Sequence, residues 1–223
     1  MRRLLTLAIA ALLGAVAVGA WGVKRFVIDD RAGKLAPGPL PVRLRGSGPV
    51  LLLGDSRVAA WPLPPGWAKA GYSGHTIARI AGVAPAVLDA ARPRVVVIQA
   101  GINDLVGICY LPAAERDAAQ ARSETAMRNV ATAARARGTR VLLTTVVPPI
   151  GLDPLRRFLT RNCLESRLAS FNAALGRVEG VRLMDATAAL RDEHGWRDGM
   201  ARDALHWTPA AYARLTAAVR ARL

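Results

Sequence analysis

Four short motifs in the chain carry residue types that could act together on a carbonyl carbon. The first is Gly54-Asp55-Ser56, at the end of the apolar run 49–54. A serine on a sharp turn after a strand presents its hydroxyl at the rim of a sheet with backbone N–H groups beside it, as a nucleophile requires. The same serine could simply cap a helix. The second is the loop Gly71-Tyr72-Ser73-Gly74, whose glycines could offer a backbone N–H. The third is Gly101-Ile102-Asn103-Asp104, in which the Asn103 carboxamide can donate to a developing oxyanion and Gly101 permits close backbone approach. A turn or helix cap would favour the same residues. The fourth is Asp203-Ala204-Leu205-His206. Three-residue spacing on a turn can bring carboxylate and imidazole to one side, the acid fixing the tautomer and the imidazole taking the serine proton. Each motif alone is common; their order along the chain is not.

The elements that must position these motifs follow from the hydrophobic pattern. Runs 49–54, 94–100 and 139–147 are apolar and too short for globular helices, so they read as strands buried on both faces. Residues 181–184 are a weaker strand candidate, and 67–70 a short edge strand. Apolar residues at three and four spacing predict helices over 76–91, 113–137, 164–178 and 209–223, the last opened by Thr208-Pro209. Strands alternating with helices predict an α/β fold, a parallel sheet wound with helices on both faces. Ligands in such folds bind outside the carboxyl ends of the strands, where the first three motifs fall.

In this order the blocks Gly54-Asp55-Ser56, Gly74, Gly101-Ile102-Asn103-Asp104 and Asp203-Ala204-Leu205-His206 resemble those of the SGNH (GDSL) hydrolases, a family of serine esterases and lipases. The resemblance spans about residues 49–223. It implies a flavodoxin-like three-layer α/β/α sandwich around a parallel sheet of about five strands. It also implies Ser56 as nucleophile, His206 as general base and Asp203 as its orienting acid. The oxyanion hole would comprise the Ser56 N–H, the Gly74 N–H and the Asn103 side chain. The chain departs from the family where an Asn often stands shortly before the second-block glycine: here Lys69 and Ala70 precede Gly71. Gly71 and Gly74 are therefore both candidates, with Gly74 preferred because Ser73-Gly74-His75-Thr76 resembles the family's loop-to-helix junction.

Other chemistries find less support. There is no G-x-S-x-G elbow, no G-x-G-x-x-G after the first strand and no P-loop. Three His and two distant Cys argue against a zinc site, and nothing calls for a metal or cofactor. His75 is read as a pocket-rim or solvated loop residue and His194 as a loop residue. Cys109 as nucleophile lacks a supporting triad order.

The formal charge of +15 first points to nucleic acid or an anionic surface. The basic residues are nearly all Arg and are dispersed from Arg2 to Arg222, without a stripe or an interleaved aromatic pattern, so no nucleic-acid partner is expected. Arg2 and Arg3 precede an apolar run, 4–23, with nothing more polar than Thr6. This reads as an export segment, its length favouring an uncleaved anchor over a cleaved signal peptide. Residues 1–28 are thus an anchor or signal, 29–48 (three prolines, four glycines, no sustained period) a linker, and 49–223 the hydrolase domain. A domain outside the cytoplasm can keep a disulfide, and Cys109 and Cys163 would form one if their loops meet.

The expected substrate is a small or polymer-borne acyl ester. Lysophospholipid or other lipid esters and O-acetylated envelope carbohydrate both suit an exported enzyme. The loop 148–163 carries Leu152, Leu155, Phe158 and Leu159 with Arg156, Arg157 and Arg161, a candidate rim for an acyl chain beside an anionic headgroup. An acyltransferase using the same serine, or a non-catalytic envelope binding module, are the alternatives.

Overall fold

The computed structural model describes residues 2–150, 154–160 and 163–223. Six strands form the main sheet: β1 (Arg45–Gly46), β2 (Val50–Gly54), β3 (Trp67–Gly71), β4 (Val95–Gln99), β5 (Arg140–Thr144) and β6 (Arg182–Met184), in spatial order β1-β3-β2-β4-β5-β6. Every pairing is parallel except β1 with β3. The helices are α1 (Arg2–Val23), α2 (Asp29–Gly33), α3 (Ser56–Ala60), α4 (Ile77–Ala91), α5 (Ile102–Cys109), α6 (Ala113–Arg135), α7 (Pro154–Leu159), α8 (Leu164–Leu175) and α9 (Pro209–Arg220).

Side chains alternate across a strand, and in β2 both sets are apolar, so the strand must be covered on both faces. Leu51 and Leu53 enter the core shared with α4, α5, α6 and α8; Leu52 enters the opposite core with Trp61, Tyr212 and Leu215 from the α3 and α9 side. β4 divides likewise, Val96 and Ile98 to one core and Val97 to the other. The result is a three-layer α/β/α sandwich. From β2 the chain steps first to β3 on one side and then to β4 on the other, so the order reverses at β2 and opens a crevice beyond the carboxyl ends of β2 and β4.

The outer part of the sheet differs from the sequence expectation. β3 is not the edge, because β1 pairs outside it, Arg45 opposite Lys69. Residues 29–48 carry α2 and β1, and Leu35, Leu40 and Leu44 pack against the core. Motif residues 102–104 begin a helix, α5, and α7 lies inside the stretch 148–163; both are short, and neither shows a periodic signal over two turns. The helical stretch Ile9–Gly33 is long and apolar enough, by length and composition, to cross a membrane, although its charges begin at Lys24.

Cys109 at the end of α5 and Cys163 just before α8 are joined by a disulfide, their Cα atoms 5.7 Å apart. Cys109 thus sits at a helix terminus, not in the loop expected from the sequence.

Candidate active site

The turn after β2 is forced by close packing. A Cβ on Gly54 would collide with the Gln99 carbonyl of β4, so only glycine lets the two strands end side by side. Asp55 then leaves the strand in extended conformation and caps α3, its Oδ1 accepting from the Arg57 N–H at 2.9 Å. Ser56 is the first residue of α3 and is half-buried at the crevice.

The Asp203 motif folds as a tight turn ahead of α9. The N–H groups of Arg202 and Asp203 both donate to the His206 carbonyl, at 2.9 and 3.3 Å. Asp203 Oδ1 accepts from the Leu205 and His206 N–H groups at 2.9 Å each. The same carboxylate lies 2.9 Å (Oδ1) and 3.0 Å (Oδ2) from His206 Nδ1. Across the crevice, His206 Nε2 lies 3.0 Å from Ser56 Oγ. A carboxylate facing Nδ1 assigns the ring proton there and leaves the Nε2 lone pair toward the serine. Partial burial raises the Asp203 pKa, but the Leu205 and His206 N–H groups and the His206 ring outweigh it and hold the carboxyl down at about 2.

Asn103 stands in the first turn of α5. Gly101 before it adopts φ +122, and a Cβ there would come within 2.9 Å of Val146 Cγ2 and 3.1 Å of Phe171, so the turn requires glycine twice over. Asn103 Nδ2 donates to the His75 carbonyl at 3.0 Å, and its Oδ1 accepts from Arg31 Nη1 at 3.3 Å. The two candidate glycines differ in surroundings. Gly71 ends β3 with its Cβ direction blocked by the Ala59 backbone, whereas Gly74 has φ +75 and open space there.

Three buried charges, Asp55 and Asp104 within these motifs and Arg57 beside the first, were given no role by the sequence. Arg57 donates from Nε to the Leu205 carbonyl and from Nη1 to the Val147 carbonyl, each at 2.8 Å, and its guanidinium lies 4.6 Å from the Trp207 ring centroid. Burial lowers its pKa to about 10, against the attraction of Asp55. Its own carbonyl accepts from the Tyr212 hydroxyl at 2.9 Å. Asp55 is pushed up to about 6 by burial, and among the described residues its Oδ2 has no partner. Asp104 accepts from the Ile77 N–H (2.9 and 3.2 Å) and the Ser123 hydroxyl (2.9 Å), joining α5 to α4 and α6; burial raises it to about 7. The only signal for Arg57 was its place beside the serine, and dispersed arginines elsewhere hid it.

Two cavities adjoin this region. One of about 860 Å³ is lined by Pro148, Phe158, Leu164 and Leu168 among others. Directly after its lining residue Pro149, the Ile150 N–H donates to the Ala204 carbonyl of the histidine turn at 2.9 Å. A smaller one of about 160 Å³ is lined by Asn103, Leu205 and residues of the N-terminal segment, and Thr160 borders both. Of the expected rim, Leu155 and Phe158 are exposed; Leu152 and Arg161 lie outside the described residues, as does the Arg156 side chain.

The other sequence candidates lie elsewhere or are occupied. His75 contributes its carbonyl to Asn103, and burial, then the charges of Arg79, Lys34 and Arg43, lower its ring pKa. His194 is exposed in the small hairpin of β7 (Arg191–Asp192) and β8 (Gly195–Trp196), 3.4 Å from Glu193. Cys109 is oxidised and so is no nucleophile. No cluster of three metal-ligating side chains occurs among the described residues.

The model of the GDSL-like Lipase/Acylhydrolase family matches residues 52–214. Among solved structures, a GDSL-like lipase from Bacteroides thetaiotaomicron superposes with a TM-score of 0.62 at 21% identity, covering 78% of this chain and 86% of that one. An acetylxylan esterase from Geobacillus stearothermophilus, solved as a catalytic mutant, gives 0.52 at 18% identity, covering 78% and 94%. A psychrotrophic esterase from Pseudoalteromonas sp., inhibited by monoethylphosphonate, gives 0.52 at 18%, covering 78% and 97%. No curated protein sequence matches the chain significantly.

Proposed function

From the premise that the chain belongs to the GDSL-like lipase/acylhydrolase family, we propose that it is an exported serine esterase with Ser56 as nucleophile, His206 as base and Asp203 as orienting acid. The observation that carries this reading is the continuous relay from Asp203 through His206 Nδ1 and Nε2 to Ser56 Oγ, at 2.9 and 3.0 Å.

Ser56 Oγ bonds to the ester carbonyl carbon while its proton passes to His206 Nε2 and the carbonyl π pair moves to oxygen. The Ser56 and Gly74 N–H groups and the free N–H of Asn103 Nδ2 receive that oxyanion. Collapse expels the alcohol, protonated by His206, and leaves an acyl-serine. Water then adds to the acyl carbon, giving its proton to His206; the second collapse frees the acid and returns the proton to Ser56. Asp203, ionised down to about pH 2, compensates the imidazolium at each stage.

The apolar cavity beside Pro148, Phe158, Leu164 and Leu168 favours a lipid or lysophospholipid ester over O-acetylated carbohydrate, the substrate type named for the acetylxylan esterase. The N-terminal apolar helix and the Cys109–Cys163 bond support a domain held outside the cytoplasm at a membrane. A fluorophosphonate probe tests the chemistry: a covalent adduct on Ser56, abolished in Ser56→Ala, is expected, and a folded protein that takes no adduct would exclude the reading.

A further inference from the structure

One wall of the candidate oxyanion pocket comes from the N-terminal segment. α1 runs on through the wide turn Lys24–Ile28 into α2, and α2 packs on α5. Gly107 of α5 allows the approach, since a Cβ there would meet the Arg31 carbonyl at 3.0 Å and the Leu35 side chain at 3.3 Å. Three further bonds seat the segment. The Thr76 hydroxyl donates to the Lys34 carbonyl at 2.6 Å, and the Arg79 guanidinium to the Ala36 and Gly33 carbonyls at 3.2 and 3.3 Å. Phe26, Val27 and Arg31 thereby face Asn103 and Leu205 across the smaller cavity.

Within this wall, half-buried Arg31 is the residue that reaches the chemistry. Its Nη1 donates to Asn103 Oδ1 at 3.3 Å while Asn103 Nδ2 donates to the His75 carbonyl at 3.0 Å. The carboxamide is therefore held at both ends, with one N–H left for an oxyanion. A cation on the amide oxygen also draws electron density from the amide nitrogen, which makes that remaining N–H a stronger donor. The neighbouring Asp30 carboxylate is occupied by Lys34 at 2.7 Å.

The geometry points to Arg31 as a positioning residue for Asn103, so that the segment between the apolar helix and the hydrolase domain is a working part of the site. This rests on the ester-hydrolase reading above. Because the oxyanion forms only after substrate binds, the contact bears on turnover and hardly on ground-state affinity.

The test is a double-mutant cycle on the full chain in detergent, reading kcat, KM and the rate of fluorophosphonate labelling. Arg31→Ala is expected to lower kcat and the labelling rate about tenfold with KM nearly unchanged, and Arg31→Lys to restore part of the loss. In an Asn103→Ala background, Arg31→Ala should cost less than about twofold, because the group it acts through is gone. Wild-type kcat in Arg31→Ala would overturn the proposal, as would an equal loss in both backgrounds. A wild-type chain that neither labels nor hydrolyses any ester would instead overturn the esterase reading and this proposal with it.

Discussion

Arg57 Nε donates to the Leu205 carbonyl at 2.8 Å, so the residue directly after Ser56 holds the residue directly before His206. Serine and imidazole sit 150 residues apart in sequence, and their 3.0 Å contact needs two turns from different ends of the domain to keep a fixed distance. The second Arg57 bond, to Val147, adds the segment that follows β5 to the same clamp.

Replacing Arg57 with Lys should therefore damage catalysis without touching a triad atom. Arg57 reaches the two carbonyls from two separate nitrogens, Nε and Nη1, which a single ammonium nitrogen does not reproduce, and a buried carbonyl left unpaired costs about 1–3 kcal/mol. Thermal unfolding should show a lowered Tm, and steady-state kinetics a kcat reduced at least about tenfold as the histidine turn loosens. A variant with native kcat would mean that the turn holds itself.

Asn103→Ala should lower kcat by about 10²–10³ if the side chain supplies one oxyanion bond. The fold should survive, because the buried ties of α5 to α4 and α6 run through Asp104 instead. Circular dichroism alongside the rate measurement separates the two effects.

Burial raises the Asp104 carboxyl from 3.8 to about 7 in the folded state. With the folded pKa above the unfolded one, the native protein binds the extra proton, so this group's contribution to stability falls as pH rises from about 4 to 7. Asp203 acts in the opposite sense below that window: its stabilisation is complete above 3.8 and is lost as pH falls toward about 2. Asp104→Asn keeps an acceptor for the Ile77 N–H but cannot titrate. Urea unfolding between pH 4.5 and 7.5 should decline less with pH in the variant than in wild type, and parallel curves would refute the assignment.

The Cys109–Cys163 bond closes a 54-residue separation and pins the end of α5 to the start of α8. Loop-closure entropy puts its worth at about 4 kcal/mol, and the double Cys→Ser variant should show a matching drop in unfolding free energy. Reduction of the native protein should reproduce that drop; no change in either case would mean that packing alone joins these helices.

Ala169 lines the larger cavity from the exposed face of α8. Ala169→Trp should lower the ratio of long-chain to acetyl ester kcat/KM by roughly tenfold if an acyl chain lies there, on the order of a few buried methylenes. An unchanged ratio would move the acyl site elsewhere and favour acetylated carbohydrate.

Much of the α/β plan was legible because it rests on local and periodic information. Short β-branched runs such as 94–100 cannot be amphipathic helices, and four helical periods between them demand a wound parallel sheet. The motif residues Ser56, Asn103, Asp203 and His206 could be named from residue type and order, the first two because turns at strand ends bring such residues to one rim, the last two from their three-residue spacing ahead of a helix. What tertiary structure alone decided is how that rim is held. Arg57 and Asp104 are charged residues buried to zero exposure, a placement hydropathy argues against and only specific partners from distant segments permit. The contrast between Gly71 and Gly74 depends on which direction a Cβ would meet the Ala59 backbone, a property of packing and not of the residue. Arg31 was one more arginine in a Gly- and Pro-rich stretch; its bond to Asn103 exists because α2 folds back onto α5, and no one-dimensional pattern encodes that contact.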